Sequence, residues 1–419
     1  MATTLDFPVF DADHHLYETE DAFTRHLPAR HRDLFRFVEL NGRKKLVVRN
    51  LLTEFIPNPT FEVVARPGAH MAFYSGDNPE GKSLRELTGT PMRSIPAFRE
   101  PKARLEVLDE QGVHACLLFP TLASLVEERL RDDPTLTQVA IRAFNDWLHD
   151  DWTYNYADRI LTTPIVSPCD VDAGIAELDR VLRRGARAIL VRPAPVAGLR
   201  GPCSPFLPEF DPFWARVQEA GVLVALHASN SGYQEYLNTW EGSSGEYVAF
   251  PPPRTFAHVA DGGRTIQDTL ASAICHLPSA ICHGMLDRFP RVRLISVENG
   301  GGWVGILARN LELAWKKMPG EFPTHPLELL RRNIWINPFW EDSLEGLISL
   351  MGSDRVCFGS DYPHPEGLAE PLSFTGQLTG LAPADIERVM STNMFELLGL
   401  PRPAPHRRAA VVPGCLSSD

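Results

Sequence analysis

The sequence predicts a (β/α)8 barrel with large insertions after its first and fifth strands. Three observations predict it: short apolar runs alternate with helical patterns from end to end, most runs lack polar alternation, and eight of them occur. Unbroken apolar runs are typical of parallel strands that are buried on both faces. An open doubly wound sheet is the alternative, but no glycine-rich phosphate-binding fingerprint follows the first strand.

The eight apolar runs define the predicted strands in chain order. They are Phe7–Asp13, His114–Phe119, Thr162–Ser167, Arg187–Val191, Val222–His227, Val292–Glu298, Asn333–Asn337 and Arg355–Gly359. Helical patterns between them cover Lys102–Gln111, Leu136–His149, Val171–Arg184, Pro212–Ala220 and Ile266–Arg288. A barrel with insertions can use most of a 419-residue chain. Residues 1–400 are therefore predicted to form one domain, and the proline-rich residues 401–419 a flexible tail.

Two connections are much longer than a crossover between strands needs. Residues 19–100 follow the first strand and residues 229–263 follow the fifth. Both leave from the side where the strands end, so both are expected to cover the mouth of the barrel. The second insertion is rich in aromatic residues, including Tyr236 and Trp240. These predict either contacts with a bulky, partly apolar substrate or packing on one another or on a second subunit.

Composition and charge exclude several classes of protein. The formal net charge is −12 and no basic run is long, which argues against nucleic acid as a partner. Hydrophobic residues make up 44%, enough for a large core, yet no stretch reaches the length of a membrane span. The N-terminus lacks the features of a signal peptide. Seven cysteines without paired spacing indicate reduced thiols, so we expect a cytoplasmic protein.

Potential metal ligands lie near the predicted ends of several strands. They are Asp13, His15, His227, Glu298, Asp361 and His364. Because the strands of a barrel all end around one mouth, residues far apart in sequence are expected to share one metal centre. Asp13 and His15 also point to the same side of their strand, since strand side chains alternate with a period of two. Glu18 is a seventh candidate ligand if the chain turns over the mouth.

Each of these residues also has a purely structural interpretation. Asp13 can be a capping residue beside a surface histidine, and Glu18 an ordinary carboxylate at a helix start. His227 closes an apolar run and can be a hydrogen-bonded core histidine, since burying an unpaired imidazole is unfavourable. Glu298 can make a structural hydrogen bond. The set as a whole, rather than any single member, favours a metal centre.

The same region supplies the candidate catalytic and substrate-binding residues. Asp361 can act as a general base instead of, or besides, binding metal. The glycines at 300–302 allow a sharp turn, so that Glu298 or Asn299 faces the mouth as a catalytic group. His364 can contact substrate instead of metal. The predicted substrate-binding residues are Arg192, Tyr236, Trp240, Asn337 and Trp340, with Arg192 the candidate for an anionic group.

One motif-like cluster is interpreted as structural. His283 and the pair Asp287-Arg288 belong to the predicted helix before the sixth strand. That helix runs antiparallel to the strands, so its C-terminal end is expected at the face opposite the mouth. These residues are therefore not expected in the metal centre.

Together these motifs resemble the amidohydrolase-related family, in the branch that includes aminocarboxymuconate-semialdehyde decarboxylase and aromatic-acid decarboxylases. The resemblance runs from the first strand to about Leu400. The segments that carry it are Asp11-Ala-Asp-x-His15, Asp109-Glu-Gln-Gly-Val113, Pro120-Thr121, His227, Asp287-Arg-Phe-Pro290, Gly300-Gly-Gly302 and Gly359-Ser-Asp-Tyr-Pro363. The resemblance implies a metal-bearing barrel, often dimeric, with Asp13, His15, His227 and Asp361 as ligands.

Three departures from the family pattern bear on its chemistry. The decarboxylases carry His-x-His after the first strand, where this chain has Asp13, and a histidine before the glycines, where it has Asn299. Relatives with two metals often carry a carboxylated lysine after the fourth strand, where this chain has Arg192. The chain also resembles an offshoot of the family that contains a nonheme diiron monooxygenase of platensimycin and platencin biosynthesis.

The resulting hypothesis is a dinuclear nonheme iron monooxygenase. Seven potential ligands exceed what one ion needs and can hold two, and their mixture of carboxylate and imidazole suits iron or manganese as well as zinc. Its substrates would be O2 and a bulky, largely apolar, diterpenoid-like carboxylic acid or thioester. The alternative is a hydrolase or non-oxidative decarboxylase of a cyclic or aromatic acid, with one zinc or manganese ion. A third hypothesis is a degenerate barrel that serves as a binding protein.

Overall fold

The computed structural model describes residues 5–123, 126–233, 238–240, 242 and 276–403. Its strands, in chain order, are β1 Phe10–Leu16, β2 Phe35–Leu40, β3 Arg43–Val48, β4 Leu51–Leu52, β5 Val63–Val64, β6 Met92–Arg93, β7 Ala115–Pro120, β8 Ile160–Thr162, β9 Ala188–Leu190, β10 Val196–Gly198, β11 Gly201–Cys203, β12 Leu223–His227, β13 Arg293–Val297 and β14 Ile334–Ile336.

The α-helices lie mainly between the parallel strands. They are α1 Met71–Tyr74, α2 Leu84–Thr88, α3 Pro101–Gln111, α4 Val126–Leu130, α5 Pro134–Trp152, α6 Val171–Arg183, α7 Asp211–Ala220, α8 Leu277–Cys282, α9 Met285–Arg288, α10 Trp303–Lys317, α11 Pro326–Asn333, α12 Leu344–Met351, α13 Pro383–Glu387 and α14 Asn393–Leu398. Local sequence explains several ends: α3 begins at a proline and stops at Gly112, whose backbone is left-handed, and Asp170 caps α6 by accepting the N–H of Ala173.

The parallel strands form two sheets that carry the site. One has the order β1–β7–β8 and the other β14–β13–β12–β9. Isolated parallel bridges join Ile165 to Leu190, between the sheets, and also join Ile336 to Val356 and His14 to Tyr362. The predicted α/β class is confirmed. In the described part of the chain, however, the strand ladders do not form one continuous closed sheet.

The third and eighth predicted strands differ most from the observed ones. The third was expected at Thr162–Ser167, but β8 ends at Thr162, because Pro164 has no N–H to donate to a ladder. The eighth, Arg355–Gly359, forms a single bridge at Val356 rather than a ladder. Its other backbone groups bond to several segments at once, so the predicted extended segment exists without being a regular strand.

The insertion after β1 packs against the loop that carries His364. Within it, β2, β3 and β4 form an antiparallel sheet, and β5 pairs with β6. The N–H of Gly68 donates to the carbonyl of His364 at 3.2 Å, and that of His70 donates to Pro365 at 2.8 Å. Of the second predicted insertion, residues 234–237, 241 and 243–263 lie outside the described residues. That both insertions cover a mouth remains a prediction.

The structure agrees with a structural interpretation of the segment around His283. The described part of the predicted helix Ile266–Arg288 is two short helices, α8 and α9, separated at Gly284, whose φ is +69°. His283 is exposed. Arg288 pairs with Asp211 at 2.8 Å and donates to the carbonyl of Phe206, so it ties this segment to α7. Among the described residues, no helix combines the length and apolarity that crossing a membrane requires.

Candidate metal centre

Strand β1 brings two ligand-type side chains to one point. Asp13 and His15 lie within the strand rather than after it, and both are buried. The register of β1 against β7 shifts between Asp11 and His14. Asp11 Oδ1 accepts the N–H of Asp13 at 3.1 Å and that of Ser360 at 2.9 Å. One buried carboxylate therefore ties β1 to the segment that carries Asp361.

Asp13, His15 and His227 form one buried group of potential metal ligands, and Asp361 lies beside His15. The Nε2 atoms of His15 and His227 are 3.0 Å apart, and each lies 3.5 Å from Asp13 Oδ1. Asp361 Oδ1 lies 3.5 Å from His15 Nε2. Buried imidazole nitrogens and carboxylate oxygens are typical ligands of a divalent ion, and the ligand atoms of Asp13, His15 and His227 all lie within 4.8 Å of one another. The donor set therefore fits a divalent metal.

The ring of His227 is oriented for metal binding. Its Nδ1 lies 2.7 Å from the carbonyl oxygen of Ala228, to which it donates its hydrogen. This hydrogen bond leaves the lone pair of Nε2 directed into the site. A backbone partner on the far nitrogen is the usual way in which proteins fix the tautomer of a ligating histidine.

A second group of ligand-type residues lies beside the first. Glu298 Oε2 is 3.2 Å from His227 Nε2, and His364 Nδ1 is 2.7 Å from Asp361 Oδ1. Ligand atoms of Glu298, Asp361, His364 and Glu366 all lie within 4.8 Å of one another. Thr121 orients His364: its hydroxyl donates to the carbonyl of Leu16 at 2.9 Å and lies 3.1 Å from His364 Nε2. The Nδ1 of His364 is thereby left to face Asp361.

Two of the carboxylates sit on strained backbone. Glu298 has a φ of +54° and Asp361 a φ of +58°. Non-glycine residues in the left-handed region occur mainly where the surrounding structure holds them for a function. A Cβ on Gly367 would lie 2.5 Å from the carbonyl oxygen of Asp361, so glycine is needed there for the chain to pass beside this residue.

The charges of the centre are strongly coupled. Burial would raise the pKa of Asp13, but contacts with His15 and His227 hold that pKa below its ordinary value. Burial, and then the charge of His364, lowers the pKa of His15 well below its ordinary value, which favours a neutral ring with a free lone pair. Burial, and then the charge of Asp361, raises the pKa of Glu298 well above its ordinary value. A cation would relieve this repulsion between carboxylates.

One predicted ligand, Glu18, lies apart from the groups that can hold an ion. Its Oε1 accepts the N–H groups of Leu122 at 2.8 Å and Ala123 at 3.0 Å. Burial raises the pKa of Glu18 to about 7. None of the potential metal-binding groups found among the described residues includes it. Glu18 thus holds the loop after β7, the loop that begins with Thr121.

The amides predicted near the site join strands together. Asn299 donates through Nδ2 to the carbonyls of Leu226 at 3.0 Å and Val297 at 2.7 Å. Asn337 accepts the N–H of Glu298 at 3.3 Å, which positions that carboxylate. A catalytic role for Asn299 and a substrate contact for Asn337 remain predictions.

The other predicted substrate-binding residues have different surroundings. Arg192 is buried and forms an ion pair with Glu128 at 2.5 Å, so its charge is already compensated. Trp340 donates from Nε1 to the carbonyl of Glu366 at 2.9 Å. Trp240 is exposed, and Tyr236 lies outside the described residues. Substrate contacts by all four remain predictions.

Sequence reasoning missed two residues of this centre. Glu366 follows His364 by two positions and joins the second ligand group. Glu366 could have been noted as another carboxylate in the loop of His364, but no predicted strand ends directly before it. Thr121 was noted only as part of the Pro120-Thr121 motif, and its contact with His364 depends on tertiary structure.

The family assignment follows from a sequence comparison over nearly the whole chain. Residues 11–400 match the family model described as "Amidohydrolase". The chain belongs to the amidohydrolase family. The chain is also similar to a solved structure of an amidohydrolase from Mycobacterium avium subsp. paratuberculosis K-10, with 38% sequence identity and a TM-score of 0.87. The match covers 95% of this chain and 99% of that chain, so the two proteins share a fold.

Other amidohydrolase relatives of the chain are decarboxylases. A gamma-resorcylate decarboxylase of Rhizobium sp. (strain MTP-10005) is 26% identical over 309 residues, which cover 71% of this chain and 86% of the relative. The fold is shared with a solved dihydroxybenzoic acid decarboxylase from Polaromonas sp. JS666, at a TM-score of 0.55 and 19% sequence identity. The match covers 79% of this chain and 93% of that chain. That structure contains bound manganese and the inhibitor 2-nitroresorcinol. These relatives favour the decarboxylase alternative and give no support to the platensimycin-type diiron monooxygenase.

Gly359 provides a test of how tightly the amidohydrolase centre is packed. A Cβ there would lie 2.5 Å from Asn337 Nδ2 and 2.6 Å from Asp13 Cβ. We expect Gly359→Ala to lower the free energy of unfolding by about 1–3 kcal/mol and to weaken Mn²⁺ binding, because Asp13 must move. Urea unfolding and Mn²⁺ titration measure the two effects. Gly302→Ala, where a Cβ meets nothing within 4 Å, is the matched control. Equal results for the two variants would contradict this account.

Proposed function

We propose that this chain is a metal-dependent, non-oxidative decarboxylase of a cyclic or aromatic acid. The observation that carries the proposal is the buried group of Asp13, His15 and His227, with Asp361 Oδ1 3.5 Å from His15 Nε2. Two imidazoles and two carboxylates suit Zn²⁺ or Mn²⁺. The gamma-resorcylate decarboxylase similarity and the manganese in the Polaromonas structure support the reaction class and the metal.

The proposed roles follow from position. When bound, the metal ion would orient the substrate carboxylate and neutralise its charge. In the reaction the bond between the ring carbon and the carboxylate breaks, CO2 leaves, and the ring carbon takes up one proton. Asn299 replaces the family's acid/base histidine, so another side chain has to supply that proton. Glu298 and His364 are the proposed donors, because both lie beside the four ligands without being needed to complete them.

A second candidate is the dinuclear iron monooxygenase predicted from the sequence. One observation favours it: Glu298, Asp361, His364 and Glu366 form a group that overlaps the group of His15, Asp361 and His364. Two overlapping groups have enough ligands for two ions. The proposed hydroxylation would consume O2 and electrons from a reductant, whereas decarboxylation needs neither.

An anaerobic assay distinguishes the two functions. The protein is loaded with Mn²⁺ and incubated with 2,6-dihydroxybenzoate and the isomeric hydroxybenzoates, and the released CO2 is measured. We expect CO2 release in the absence of O2, and incorporation of one deuterium from deuterated solvent into each product molecule. The Asp361→Asn variant should lose both CO2 release and deuterium incorporation. Product that forms only in iron-loaded chain, with O2 and a reductant, would contradict the decarboxylase and support the monooxygenase.

A further inference from the structure

A surface groove lies beside α11, away from the candidate metal centre. Its residues Arg331 and Arg332 belong to the last turn of α11, immediately before β14 begins at Ile334. The other end of β14 leads to Asn337, whose side chain accepts the N–H of Glu298. The groove has a volume of about 490 Å³, the size of many small-molecule binding sites. None of its lining residues belongs to the potential metal-binding groups of the described chain.

Three arginine side chains give this groove its charge. Arg331, Arg332 and Arg355 line it, and a guanidinium group stays protonated in proteins. Two acidic residues oppose them: Glu328 also lines the groove, and Asp354 Oδ2 lies 2.6 Å from Arg355 Nη1. Within the described ranges, no carboxylate forms an ion pair with Arg331 or Arg332. The groove therefore has a surplus of positive charge.

The two arginines of α11 are held in place by uncharged acceptors. Arg331 Nε donates to the carbonyl of Leu350 at 2.8 Å. Arg332 Nη2 donates to the carbonyl of Leu286 at 2.8 Å. A backbone carbonyl fixes the position of a guanidinium but does not neutralise its charge. Since each guanidinium has five N–H hydrogens, most of them stay available to a ligand in the groove.

The third arginine is fixed from the other side of the groove. Arg355 Nε donates to the carbonyl of Arg331, so the two side chains lie close together. The guanidinium of Arg355 also lies over the ring of Trp335, with Cζ 4.7 Å from the ring centroid. Because these contacts restrict all three side chains, little conformational entropy remains to be lost when an anion binds.

The chemistry of the groove fits a phosphate group. Guanidinium groups bind phosphate through pairs of N–H groups, and a phosphate has enough oxygen atoms to accept from several arginines at once. Leu327 and His325 extend the lining with apolar and aromatic surface, against which the rest of an organic molecule can pack. We propose that this groove binds a phosphate-bearing small molecule, at a site separate from the metal centre. This inference does not depend on the proposed function.

Isothermal titration calorimetry of the whole, metal-free chain with phosphate and with phenyl phosphate tests this. Metal is removed so that neither compound can bind through it. We expect saturable binding, which Arg331→Gln and Arg332→Gln should each weaken at least about tenfold, as the loss of one charge-assisted hydrogen bond implies. Arg183→Gln is the matched control, since Arg183 is exposed on α6 and does not line the groove. Its affinity should equal that of the native chain.

Glu328→Gln tests the same groove without removing a structural contact. Glu328 is exposed, and its side chain makes no hydrogen bond or ion pair with the described residues. Losing its negative charge should tighten phosphate binding about threefold, the effect of one solvent-screened charge. This variant decides the question if either arginine variant fails to fold.

The two compounds also distinguish the source of the phosphate group. Tighter binding of phenyl phosphate would identify an organic phosphate as the ligand, and tighter binding of phosphate would identify the inorganic ion; both support the inference. Benzoate serves as the carboxylate comparison. The inference would be overturned by the absence of saturable binding at millimolar concentrations, or by equal binding of benzoate. Phosphate affinity that is unchanged in all three groove variants would overturn it as well.

Discussion

Asp13→Asn is expected to weaken Mn²⁺ binding more than about 100-fold, since even the loss of an outer partner of a ligand weakens binding about 10–100-fold. The substitution keeps the shape of the side chain but removes the charge that faces His15 and His227, each 3.5 Å from Asp13 Oδ1. His227→Ala should have an effect of similar size, because it removes one of the two imidazoles. Competition against a fluorescent chelator measures both affinities.

Controls separate ligand loss from general damage. His283→Ala removes an exposed histidine and should bind Mn²⁺ as the native chain does. Both Asp13→Asn and His227→Ala should retain native circular dichroism. If either variant bound Mn²⁺ within about threefold of the native chain, the side chain in question would not be a ligand.

Arg104→Leu is expected to lower the free energy of unfolding by about 3–5 kcal/mol, because it leaves a buried carboxylate without its counterion. Arg104 is fully buried against β1. It donates to the carbonyls of Ala97 at 2.6 Å and His15 at 2.7 Å, and its Nη1 lies 3.1 Å from His14 Nδ1. The other nitrogen of His14 lies 3.0 Å from Asp11 Oδ2. The imidazole of His14 therefore connects the negative charge of Asp11 to the positive charge of Arg104.

Urea unfolding followed by tryptophan fluorescence measures this effect. Arg183→Leu is the matched control, since Arg183 is exposed near the end of α6, and its effect should stay within about 0.5 kcal/mol. Equal unfolding midpoints for Arg104→Leu and Arg183→Leu would show that the buried contacts of Arg104 with His14 and, through it, Asp11 contribute nothing to stability.

The apolar pattern predicted the fold best where strands are apolar throughout. Val222–His227 and Val292–Glu298 match β12 and β13 to within one residue at each end. The end of β1 was misplaced, because it continues through Asp13, His14 and His15 to Leu16. Polar residues in a strand are normally read as its end, but here the site itself buries them. The separation of the sheets and the irregular segment at 355–359 depend on packing that a sequence pattern does not contain.

The predicted clustering of side chains from different strands is observed, whereas metal binding by them stays a prediction. Asp13, His15, His227, Glu298, Asp361 and His364 all belong to the potential metal-binding groups. Glu18 does not, because its carboxylate is taken up by backbone N–H groups that come from another loop.

Anomalous X-ray diffraction from crystals grown with Mn²⁺ tests the central claim most directly. We predict one strong peak at about 2.0–2.2 Å from Asp13, His15, His227 and Asp361, the distances typical of nitrogen and oxygen ligands to a divalent ion of this kind. A second peak among Glu298, His364 and Glu366 would establish a dinuclear centre and favour the monooxygenase. A peak elsewhere, or none at this centre, would contradict the account.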